Sequence, residues 1–153
     1  MVTYCHPSHR SSATPGDCAG PRTLVHGPHD ALAVLALAAS PGTEETLVLV
    51  LDHRHRGSVC LVVQGPLSSA ALISFLLALT VADRAVGALV VATGGQSSPS
   101  PSAEQELAWF DAREQLDEIG VDLLDWFLLS PGQACSLAEL TDSRWRWRST
   151  PGR

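Results

Sequence analysis

The chain has 153 residues, close to one domain's worth, and 45% of them are hydrophobic, enough for a single packed core. Its formal net charge is −6, which argues against a general nucleic-acid binder, because such a protein needs a basic stripe to release counterions from phosphates. All 10 basic residues are arginine, so lysine Schiff-base chemistry and a phosphate loop with its lysine are absent as well.

Residues 1–23 are rich in Pro, Gly, Ser, His and Cys, show no periodicity and read as a loose tail. The first residues lack the charged segment and apolar run of a signal peptide. Within this tail Cys5, His6, His9 and Cys18 have ligand chemistry, but their spacing matches no zinc module. His29 to Ala39 reads as a helix closed by Ser40-Pro41-Gly42. Glu44 to Asp52 reads as a strand, and its apolar run Leu47-Val48-Leu49-Val50-Leu51 predicts cover on both faces. After a polar turn, Val59 to Gln64 is a second strand, forming a hairpin with the first and holding Cys60 as an inert core thiol.

Pro66-Leu67-Ser68 opens a helix that runs to about Ala82, with Ser68 as N-cap. This helix is apolar nearly all round, which predicts burial between layers or at a subunit interface. It is too short to span a bilayer, which takes about 20 residues. Gly87 to Thr93 is a third strand, 94–101 a flexible loop, and Ser102 to Ile119 an amphipathic helix opened by the capping box Ser102-x-x-Gln105. Val121 to Leu129 is a last long strand before the turn Ser130-Pro131-Gly132. The end, 142–153, is an irregular tail carrying Arg144-Trp145-Arg146-Trp147-Arg148. The expected organisation is therefore one α/β (α+β) domain over 24–141 between two tails. The absence of lysine and asparagine and the scarcity of isoleucine point to a GC-rich bacterial genome. Reduced thiols in the cytoplasm are the default.

In this order the elements of 44–140 resemble the RadC-like branch of the JAB/MPN (JAMM) metalloprotein family. The resemblance is carried by Glu44-Glu45 before a buried strand ending in Asp52-His53-Arg54-His55-Arg56. It continues in Gly65, in the apolar strand Ala88-Leu89-Val90-Val91, in Pro101-Ser102 and in Leu123-Leu124-Asp125. It implies the MPN/JAB fold, a curved mixed β-sheet with a buried helix and flanking helices, and a zinc hydrolase site. In such a site two histidines and a carboxylate hold the metal, the metal activates water, a glutamate is the base and a serine steadies the oxyanion. Here Ser102 matches the family serine and Glu44 the glutamate, with Glu45 one residue away.

Counting back from Ser102, the His-x-His positions are Ala92 and Gly94, or Thr93 and Gly95 if the loop is one residue shorter; the aspartate position is Gln105. Neither register supplies a ligand. The resemblance thus implies a degenerate pseudo-metalloprotease that holds no cofactor and works as a binding or scaffold module, with a protein partner or a second copy as its target. Two other readings stay open. A hydrolase would hold metal through His53 and His55, the only His-x-His in the chain, together with Glu44. A nucleic-acid module linked to DNA repair would stack bases on Trp145 and Trp147, although these indoles can equally clamp onto the domain. Gly94-Gly95 without a lysine is a weak phosphate cradle. Glu104 to Glu118, with six acidic residues and one arginine, reads as a solvated face or a partner surface.

Overall fold

The computed structural model describes residues 2–5, 24–40, 43–98, 100–141 and 147. Among them a mixed sheet is built from β1 (Val2–Cys5), β2 (Glu45–Asp52), β3 (Gly57–Gln64), β4 (Val86–Thr93), β5 (Asp122–Ser130) and β6 (Gln133–Ser136). The strand order is β1-β3-β2-β4-β5-β6. Every neighbouring pair is antiparallel except β4 and β5, which run parallel. A parallel pair needs a long crossover, and helix α3 (Ala103–Glu118) supplies it. The remaining helices are α1 (Pro28–Ala38), α2 (Ser69–Ala82) and the short α4 (Leu137–Leu140).

The β2–β3 hairpin turns on Asp52. Its Oδ1 accepts from the backbone N–H of Arg54 at 2.8 Å and of Arg56 at 2.9 Å, the side-chain-to-backbone pattern that makes aspartate a turn former. This turn puts His55 in the left-handed region at φ 57°. Val25 N–H donates to His55 C=O at 3.0 Å, so the segment entering α1 is tied to the same turn.

Period-2 alternation splits the sheet residues between two apolar layers. Leu47, Leu49, Leu51, Val90 and Ala92 face α1, together with Ala31, Leu35 and Trp147. Val48, Val50, Leu89, Val91, Leu123 and Leu128 face α2 and α3, packing with Leu72, Leu76, Trp109 and Leu116. Both faces of β2 are covered, as its unbroken apolar run predicts.

Three features differ from the sequence reading. Helix α2 buries only Leu72, Leu76 and Thr80, while Val81 is 77% exposed. It lies on one face of the sheet rather than between layers, which leaves the subunit-interface alternative, and its outward positions are largely small residues such as Ala70, Ala71, Ser74 and Ala78. Val2–Cys5, in the segment read as a loose tail, pairs with β3 as an edge strand. Beyond the Ser130-Pro131-Gly132 turn, β6 returns against β5 and leads into α4. Cys18, His6 and His9, and Arg144, Trp145, Arg146 and Arg148, lie outside the described residues.

Candidate functional site

The segment 92–105 joins β4 to α3 at one end of the sheet, and the start of β2 lies beside it. Thr46 of β2 pairs with Thr93 of β4, and Leu47 with Ala92. Because successive strand residues alternate sides, the candidate residues fall on opposite faces.

On the α1 face, Glu45 is buried at 2% exposure. Its Oε1 accepts from the Ser40 backbone N–H, and its Oε2 from Gln64 Nε2 at 3.1 Å. Glu44, the residue matched to the family base, is exposed. Glu45 lines a cleft of about 580 Å³ with Leu32, Ser40, Gly94, Gly95 and Gln133. Here the backbone of 94–95 presses against the chain entering β2. Gly94 N–H donates to Glu45 C=O at 2.7 Å, and a Cβ on Gly94 would come within 2.9 Å of the Thr43 carbonyl oxygen. Gly95 sits at φ +73°, and its Cβ would lie 2.9 Å from Glu44 Cγ. Ala92 is fully buried under α1.

On the other face lies a smaller pocket of about 240 Å³, where the first turns of α2 and α3 meet β2 and β4. Ser102 and Gln105 belong to it, and so does Thr93. The capping box forms in full: Ser102 Oγ accepts from Gln105 N–H at 3.2 Å, and Gln105 Oε1 accepts from Ser102 N–H at 2.8 Å. The amide nitrogen of Gln105 donates to Gln96 Oε1 at 2.8 Å. Thr93 Oγ1 accepts from Trp126 Nε1 at 2.8 Å. The structure therefore gathers Thr93, Ser102 and Gln105 around one pocket and places Glu45, Ala92 and Gly94 on the opposite side of the sheet.

The side chains at these positions lack the chemistry that zinc requires. The ligand positions hold Ala92 and Gly94, or Thr93 and Gly95, with Gln105 third. None brings an imidazole or a carboxylate, and the Gln105 amide is already committed to the cap and to Gln96. These residues do not fit the metal. Nor do the hairpin histidines converge. His53 is exposed, whereas His55 is buried at 4%, where desolvation lowers its pKa against the opposing pull of Asp122 and Asp52. Among the described residues no group of three His, Cys, Asp or Glu is placed to hold a metal ion.

Asp125, the last residue of the Leu-Leu-Asp match, is fully buried. Its carboxylate accepts from Trp126 N–H at 2.7 Å, from Ser136 Oγ at 2.7 Å and from Ala138 N–H at 3.2 Å. Burial pushes this carboxyl above its ordinary range, and those hydrogen bonds pull it back down. Its partners all lie on β5, β6 and α4, so it acts as a fastener for that edge. A lone carboxylate inside the apolar run Leu123-Leu124-Asp125-Trp126-Phe127-Leu128 was the signal for it.

The sequence reading also passed over Thr46, a hydroxyl on the buried strand beside Glu45. Comparison with protein-family models gives no match for this chain, and comparison with curated proteins gives none either.

Proposed function

We propose that this chain is a RadC-like JAB/MPN-type domain without metal chemistry, working as a binding or scaffold module. The observation that supports this reading is the crowded joint at Gly94. Its missing Cβ is replaced by the approach of the Thr43 carbonyl, at 2.9 Å from where that atom would stand. A metal ligand at this position needs a side chain, and the main chain of residue 43 takes up its space. The neutral, doubly engaged Gln105 supports the same reading from the opposite face.

Metal analysis of protein purified without an affinity tag tests it. We expect far less than one equivalent of zinc or manganese. Stoichiometric metal that disappears in a His53→Ala, His55→Ala double variant would overturn this reading in favour of a hydrolase with substitute ligands.

A further inference from the structure

The pocket between the first turns of α2 and α3 has an unusual lining. Thr46 forms its floor at 3% exposure. Among the described residues its hydroxyl makes no hydrogen bond, so a buried polar group faces the cavity without a partner. Its oxygen keeps accessible surface toward that cavity, so it is free to hydrogen-bond whatever enters. Thr93 lies directly across the β2–β4 ladder from it. The indole N–H of Trp126 occupies the acceptor side of the Thr93 hydroxyl, which leaves that hydroxyl's own proton to point elsewhere.

Two helices begin at the same pocket. α2 has 14 residues and α3 has 16. Each N-cap serine covers one backbone donor: Ser68 takes Ala71 N–H at 3.2 Å, and Ser102 takes Gln105 N–H at 3.2 Å. The N–H groups of Ser69 and Glu104, earlier in each first turn, lie outside the helical ladders and belong to residues that line the cavity. Both macrodipoles place their positive ends there. The cavity thus presents donors from hydroxyls and helix ends, a combination that suits an anion without any lysine or arginine. Glu104 is the charged side chain in the lining. It is exposed and opposes an anion from the rim.

We infer that this pocket binds a carboxylate group, received by Thr46 Oγ1, Thr93 Oγ1 and the first-turn N–H groups of α2 and α3. The inference rests on reading the domain as a metal-free binding module, and it names the ligand of that site. Two sources share this chemistry, a small free carboxylate and the C-terminus of a peptide.

The test is an amide-resolved NMR titration of the full chain after chelator treatment, with acetate, with glycylglycine and with glycylglycine amide as probes. We expect saturable shifts at Ser69 and Glu104 with acetate, with glycylglycine or with both, and none with the amide. Saturation by acetate as tight as by glycylglycine supports a small free carboxylate, and clearly tighter glycylglycine supports a peptide C-terminus. Thr46→Val keeps the strand's branched shape and should weaken binding about tenfold, the effect of losing one hydrogen bond to a charged group. Glu104→Gln should tighten binding about twofold, as expected for one screened surface charge. No saturation with either carboxylate, or unchanged affinity in Thr46→Val, would overturn the inference. Because the chelated protein carries the titration and the untreated protein carries the metal analysis, the two readings fail separately.

Discussion

Asp125 and His55 are buried titratable residues whose burial has opposite consequences for acid stability. The carboxyl of Asp125 ionises in the native state above its ordinary value of 3.8. Between that value and the raised native one, the folded protein holds more protons than the unfolded chain, so this stabilising contribution is complete below 3.8 and declines as pH rises through the window. Asp125→Asn keeps an acceptor for the three donors and cannot ionise. We expect the denaturation midpoint of wild type relative to this variant to fall as pH rises through the window. Asp125→Ala leaves Ser136, Ala138 and Trp126 without their acceptor and should cost about 2–3 kcal/mol, read by urea unfolding. His55 runs the other way. Its native pKa lies below the ordinary 6.5, so the unfolded chain takes up the proton first and stability falls as pH drops from about 6.5 toward the native value. His55→Asn, a residue that tolerates a left-handed φ, should flatten that loss in a pH series of thermal unfolding.

At the scale of elements, the caps and the layers carry the argument. Removing the Ser102 hydroxyl breaks half the capping box, and Ser102→Ala should cost about 1 kcal/mol, measured by chemical denaturation. Leu76→Ala on the buried stripe of α2 should cost about 3 kcal/mol, while Val81→Ser on its outward side should change stability little in a monomer. If Val81→Ser instead shifts the sedimentation coefficient of the protein, a second copy covers that face. Much of this layer was legible in advance. Ser68 and the Ser102–Gln105 pair mark both helix starts, and the β2 run announces a strand covered twice. The faces were not legible. In Leu47-Val48-Leu49-Val50-Leu51 both sides are apolar, so no alternation tells which of Glu45 and Thr46 looks toward which helix. Only the pairing with β4, set by residues some 47 positions away, decides that. β6 and α4 are four residues each, too short for any period to show.

For the whole molecule, one sheet with a helix on one side and two longer helices on the other makes a mixed α/β domain, and the two ends of the chain contribute to it. Trp147 is buried at 6% in the α1-side layer, far from the Val2–Cys5 strand in sequence. Of the two sequence readings for the C-terminal indoles, this position is a clamp at Trp147. Trp147→Ala should cost about 3–4 kcal/mol by equilibrium unfolding. No described helix is long and apolar enough to cross a membrane.

The Gly94 joint also bears on how such a protein can change. With Thr43 pressed into the space of a Cβ, a side chain at 94 is admissible only after the main chain at 43 has moved. A single substitution to histidine meets a clash before it meets a metal, and a shift at 43 brings no advantage alone. Positions 43 and 94 are thus coupled: any redesign that adds a side chain at 94 has to rebuild the chain entering β2 in the same step.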